Sequence, residues 1–109
     1  RIISPKSVRL MRTNSLRDEL NLRGSPTSEG QPGQGFGVDF AVIVDPKKAD
    51  TPQGAGTYYW GGAAGTWFWV DPTEDLFFIG MIQAQGAKRP DAPELRTLSR
   101  DIVYASFPE

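Results

Sequence analysis

Hydrophobic positions recur in six segments of the chain, and polar or glycine-rich stretches separate them. Over 4–14, Val8 and Met11 lie three apart, Leu10 sits at the edge of their face, and Lys6, Arg9 and Arg12 can be solvated. Ser4 can accept a free amide and Pro5 loses nothing at the first helical position, so a short helix is expected there. Residues 15–34 carry no periodic face and read as a long surface loop. From Gly35 to Val44 the chain alternates strictly, with Phe36, Val38, Phe40, Val42 and Val44 on one side, which predicts one strand over 35–44. Asp45-Pro46 ends it, and strand composition returns over 57–60, 65–71 and 75–83. In the last two of these both alternating sides are apolar, the signature of strands covered on both faces, and the turn Asp71-Pro72-Thr73-Glu74-Asp75 makes the pair antiparallel. Leu95, Leu98, Ile102 and Ala105 then recur at helical spacing and predict a helix over 92–106 that packs on the sheet. Its cap is expected at Asp91 or Ala92, with Pro93 in the first turn.

The order helix, antiparallel strands, helix gives an α+β fold class in a single domain over 1–109. A sheet apolar on both faces needs two covering layers, and two helices hardly supply both. The expectation is therefore a piece of a longer protein, or one member of an assembly.

Composition narrows the chemistry. Twelve Lys and Arg against thirteen Asp and Glu leave a net charge of −1, which gives no electrostatic reason to expect nucleic acid or an anionic membrane as partner. No apolar run approaches the ~20 residues that span a bilayer. The chain has neither cysteine nor histidine, so thiolate catalysis, Cys-based zinc sites and a Ser-His-Asp triad cannot be assembled from it alone. No metal or organic cofactor is implied, and nothing in the residues points to a compartment.

All three tryptophans and two of the three tyrosines fall between Tyr58 and Trp69, around Gly61-Gly62-Ala63-Ala64-Gly65. A phosphate loop would lead into a helix and carry a lysine, whereas here a strand follows. A stacking platform for bases would be interleaved with cations, and no Lys or Arg lies between Lys48 and Lys88. Among the acids, Asp71, Glu74 and Asp75 read as solvated turn caps, and Asp39 as a carboxylate needing a partner or an edge.

The runs Gly35-Phe36-Gly37-Val38-Asp39-Phe40-Ala41-Val42 and Tyr59-Trp60-Gly61-Gly62-Ala63-Ala64-Gly65-Thr66-Trp67-Phe68-Trp69-Val70-Asp71-Pro72-Thr73-Glu74-Asp75-Leu76 resemble the C-terminal part of β-lactamase-related serine hydrolases, the class C-like group that includes the family VIII esterases. Ser4-Pro5-Lys6-Ser7-Val8-Arg9-Leu10-Met11 is similar to that family's S-P-x-x-V-x-x-M helix. The resemblance implies the C-terminal part of a β-lactamase/transpeptidase-like α/β domain. It implies a nucleophilic Ser and a Lys in an S-x-x-K motif, with a Tyr from Y-x-N or Y-x-x. None of the seven serines here is followed by Lys three positions on, so the nucleophile lies outside these residues and the segment alone should be inactive. Trp60-Gly61-Gly62 matches the W-G-G form that replaces K-T-G in the esterase-like branch. By the same resemblance Ala63 would supply a backbone oxyanion donor, and Tyr59, Trp60, Gly61 and Gly62 would line the substrate. By the same resemblance, the loss of the K-T-G lysine favours esterase activity over efficient β-lactamase activity. The implied partner is the remaining N-terminal part of the same enzyme. A non-catalytic relative that binds a ligand in an aromatic cleft is the alternative that the missing S-x-x-K allows, and a bulge in a structural hairpin is the plainer reading of the W-G-G stretch.

Overall fold

The computed structural model describes residues 2–16, 32–83 and 94–108. In chain order these form α1 (Pro5–Met11), β1 (Gln34–Phe36), β2 (Ala41–Ile43), β3 (Tyr58–Gly61), β4 (Trp67–Asp71), β5 (Leu76–Gly80) and α2 (Leu95–Ala105). The strands make one antiparallel meander in the order β1-β2-β3-β4-β5. The architecture is α+β, as the periodicities indicate. Most of the 15–34 loop and the Asp91/Ala92 cap with Pro93 lie outside the described residues.

The segment 35–44 departs from the expectation of a single strand. It folds into a hairpin, Gln34–Phe36 against Ala41–Ile43, with Phe36 opposite Ala41. Gly37 N–H closes the turn on Phe40 O at 2.8 Å, and Asp39 takes a left-handed φ of 73° at the tip. Strict alternation cannot tell one ten-residue strand from two short ones folded at the middle. The end of α1 decides it, because Met11 O accepts Val38 N–H at 2.8 Å and crowds the space where any side chain at Gly37 would stand. α1 itself stops at Met11 rather than near Asn14, which leaves Asn14 free to act on β1. Its Oδ1 accepts Phe36 N–H at 3.0 Å, and Ser15 N–H donates to Phe36 O at 2.8 Å.

Register sorts the side chains of β3, β4 and β5 onto two faces. Tyr59, Trp69 and Phe78 share one face with Gly61, Trp67 and Gly80, while Tyr58, Val70 and Phe77 share the other with Trp60, Phe68 and Ile79. The first face is covered: Trp69 is 3% exposed and stacks on Phe78 at 4.3 Å between ring centroids. Trp67 lies over Gly80, where an added Cβ would come within 2.2 Å of the indole. Gly80→Ala should therefore lower stability by about 1–3 kcal/mol through overpacking, read as a shift in the midpoint of chemical unfolding of the full-length protein. The second face is open, with Phe77 68% and Ile79 60% exposed.

α2 lies on the covered face, but not with the stripe expected of it. Leu95, Leu98, Ile102 and Ala105 are exposed. The sheetward side consists of the partly buried Arg100, Val103 and Tyr104, with the Arg96 guanidinium reaching Gly61. Helical spacing fixes which residues share a stripe, but not which stripe meets the sheet. The cap is Glu94, whose carboxylate accepts Thr97 N–H at 2.8 Å and Arg96 N–H at 3.3 Å. Those bonds satisfy two first-turn amides. Burial alone would raise the Glu94 carboxyl, but donation by the Thr97 hydroxyl and amide and by Arg96 N–H holds it below the usual carboxylate range.

Candidate active site

The aromatic and glycine-rich stretch becomes the β3–β4 hairpin. Gly61 pairs with Trp67, Gly62 N–H donates to Thr66 O at 2.7 Å, and Gly65 N–H donates to Gly62 O at 3.0 Å. Gly65 adopts φ 94°. A turn closed over 62–65 and ending on a left-handed glycine is the three-residue hairpin connection whose twist suits flanking strands. Gly65 is therefore a geometric requirement, and the bulged-hairpin reading describes the backbone correctly. It leaves two adjacent amides unused: among the described residues, Ala63 N–H and Ala64 N–H meet no acceptor.

Among the described residues, β3 is also unpaired on one side at its end. β2 reaches only Tyr58 and Tyr59, so Trp60, Gly61 and the loop beyond them form an open strand edge. In an antiparallel ladder the backbone groups alternate in direction. Since Gly62 bonds inward to Thr66, Gly61 presents its N–H and C=O outward, and Ala63 follows two residues later.

This edge lines a groove of about 1000 Å³ that also runs under α2. All five residues singled out in the sequence, Tyr59, Trp60, Gly61, Gly62 and Ala63, border it. Tyr59 is partly buried and donates its hydroxyl hydrogen bond to Gln34 Oε1. Burial pushes its phenol up to about 12, so it stays neutral in the physiological range. Trp60 stands edge-on to Phe36 at 5.2 Å between centroids. On the open face, Trp60, Phe68, Val70, Phe77, Ile79 and Met81 border a second, apolar depression of about 570 Å³. Among the described residues, no three Asp or Glu side chains gather where a metal could be held.

Two features of the site are not visible in the local sequence. First, cations do reach the aromatic groove: Arg96 and Arg100 arrive from α2, and Lys48 from the β2–β3 connection. The absence of Lys and Arg around the tryptophans is thus corrected by residues distant in sequence. Second, Asp71 is not a solvated turn cap. It is 0% exposed, and each of its oxygens accepts two donors. Oδ1 takes Thr73 N–H at 2.9 Å and the Thr73 hydroxyl at 2.6 Å, and Oδ2 takes Gly54 N–H at 2.8 Å and the Tyr104 hydroxyl at 2.5 Å. Burial by itself would raise the Asp71 carboxyl, but these donors outweigh it and hold it below the usual range. The same contact, after burial, pushes the Tyr104 phenol far up. One carboxylate thereby joins the end of β4, the 51–57 connection and α2, and fixes the helix against the groove. The local half of this arrangement, an Asp accepting from the amide two residues on, is legible in Asp71-Pro72-Thr73. Asp39, by contrast, sits exposed at its hairpin tip.

The fold matches known proteins. No family profile matches the chain. The protein Rv1367c of Mycobacterium tuberculosis, and its counterpart MT1414 in another strain, are 37% identical over 120 aligned residues that cover 98% of this chain. Esterase EstB of Burkholderia gladioli is 41% identical over 76 residues, 68% of this chain and 18% of its own length. Among solved structures, EstCE1, described as a hydrolase with promiscuous acyltransferase activity, superimposes with TM-score 0.71 at 29% identity over 94% of this chain and 25% of its own. Over most of its length the chain is similar to these hydrolases and shares the β-lactamase-like fold. Simvastatin synthase LovD from Aspergillus terreus carries the same fold, with TM-score 0.71 at 20% identity over 99% of this chain and 30% of that one. The chain spans about 30% of the length of the mycobacterial relatives it matches.

Proposed function

We propose that this chain is the C-terminal segment of a serine hydrolase that cleaves carboxylic esters through an acyl-enzyme. The nucleophilic Ser with its Lys and the assisting Tyr belong to the preceding part of the enzyme. This segment contributes one wall of the site: Ala63 N–H as an oxyanion donor, Gly61 and Gly62 as backbone the substrate can approach, and Trp60 and Tyr59 as lining. The observation that carries the reading is the unused Ala63 amide at an open strand edge, bordering a groove, in a chain similar to an esterase. Donors held in place before the reaction are what an acyl-transfer site needs where negative charge develops.

The same reading accounts for the apolar surface. The Phe77 and Ile79 face and the Leu95, Leu98 and Ile102 stripe are covered by the rest of the enzyme, which is the partner of this segment. Without the K-T-G lysine, small esters are better substrates than β-lactams.

Two measurements on the full-length protein test this. It should hydrolyse p-nitrophenyl butyrate, and a p-nitrophenyl alkylphosphonate should add one covalent group to the Ser of an S-x-x-K motif, seen by peptide mass spectrometry. A protein that neither turns over the ester nor takes the label is a non-catalytic relative.

A further inference from the structure

The groove beside Ala63 ends at a cation for which the ester reading has no task. Arg96, in the first turn of α2, rests its guanidinium on Gly61: a methyl group added at Gly61 would stand 2.4 Å from Nη2, 2.6 Å from Cζ and 2.8 Å from Nη1. The missing side chain at Gly61 is thus the space the guanidinium occupies. Among the described residues, Arg96 makes no ion pair and no side-chain hydrogen bond.

The charged groups around it are mostly committed. Glu94 feels the positive charge of Arg96, but its oxygens serve the helix cap, accepting Thr97 N–H at 2.8 Å, the Thr97 hydroxyl at 2.6 Å and Arg96 N–H at 3.3 Å. Arg100 pairs with Asp101 at 2.8 Å, and Lys48 with Asp45 at 3.6 Å. Asp50 borders the same groove and makes no ion pair with Arg96. Among the described residues, the five planar N–H donors of Arg96 thus remain available on the wall it shares with Ala63. Its helix is anchored by the buried Tyr104–Asp71 bond, so the guanidinium is offered from a fixed support.

We propose that Arg96 is a specificity-determining residue that holds a carboxylate carried by the acyl chain of the ester, so that the site prefers hemiesters of short dicarboxylic acids to neutral esters. This rests on the ester-hydrolase reading above. A guanidinium matches a carboxylate with two parallel hydrogen bonds, a geometry an ammonium cannot reproduce. Gly61 and Ala63 are two residues apart along the chain, roughly 7 Å in extended backbone. A glutaryl chain bridges that span, with its ester carbonyl at Ala63 N–H and its free carboxylate at Arg96.

The test compares mono-p-nitrophenyl glutarate with p-nitrophenyl butyrate on the full-length protein. The wild type should favour the glutarate in kcat/KM, and Arg96→Ala should lower the glutarate-to-butyrate ratio at least about tenfold, the loss of one charge-assisted contact. The change should fall mainly in KM, with partial recovery in Arg96→Lys. Gly61→Ala, which displaces the guanidinium while keeping it, should lower the ratio in the same direction in the wild type and have little further effect on the ratio in Arg96→Ala. A ratio that moves less than about twofold in Arg96→Ala, against that tenfold expectation, overturns the proposal even if both esters are cleaved. Titration with glutarate, followed by tryptophan fluorescence, separates the two readings. If the wild type cleaves neither ester yet binds glutarate and Arg96→Ala does not, the hydrolase reading falls and the carboxylate site stands. If wild type and Arg96→Ala bind glutarate equally, the carboxylate site falls.

Discussion

Asp71→Asn should lower the unfolding free energy of the full-length protein by about 3 kcal/mol, because it strands buried donors. The arithmetic of donors gives the reason. Each carboxylate oxygen accepts one backbone N–H and one hydroxyl: Thr73 N–H with its own hydroxyl, and Gly54 N–H with that of Tyr104. An amide in the same place must turn its NH2 toward one of these pairs. The hydroxyl of that pair can rotate and accept, but the backbone N–H cannot, so either orientation leaves a buried amide facing another donor. Tyr104→Phe removes only a donor and leaves an acceptor with three remaining bonds, so its cost should be nearer 1 kcal/mol.

The pH dependence follows from the same carboxylate. Its folded-state pKa lies below that of the unfolded chain, about 3.9. A depressed carboxylate contributes its full stability above the unfolded value and loses it as pH falls through the folded one. The stability gap between wild type and Asp71→Asn should therefore be constant from pH 5 upward and narrow below about pH 4. Urea unfolding of both proteins at pH 7 and in the acid range measures this; a gap independent of pH would mean that the Asp71 charge contributes nothing.

What could be read from the sequence follows the range of the interactions. Period-2 and helical spacing are local, so the strands β3, β4 and β5 and the helix α2 were legible, as was the W-G-G stretch that borders the groove. The split of 35–44 was not, since the carbonyl that captures Val38 belongs to Met11, in another element. Nor was the orientation of α2: the residues that hold it, Asp71 and Gly61, lie 33 and 35 positions from Tyr104 and Arg96. A turn acid beside proline reads as solvated because its own neighbours are polar, yet distant donors buried it. Arg96 was hidden in the same way, and its arrival reverses the impression that the aromatic groove lacks charge.

The central claim is that Ala63 N–H stabilises a developing oxyanion. Proline at position 63 removes that donor and little else. Position 63 is the second residue of the turn closed by Gly65 N–H on Gly62 O, where proline's fixed φ is favoured in type I turns. Ala63→Gly, which keeps the N–H, is the control. Steady-state hydrolysis of p-nitrophenyl butyrate by the full-length protein should show kcat reduced by about 10²–10³-fold in Ala63→Pro, with KM changed far less and Ala63→Gly close to wild type. Turnover by Ala63→Pro equal to that of the wild type would contradict the account.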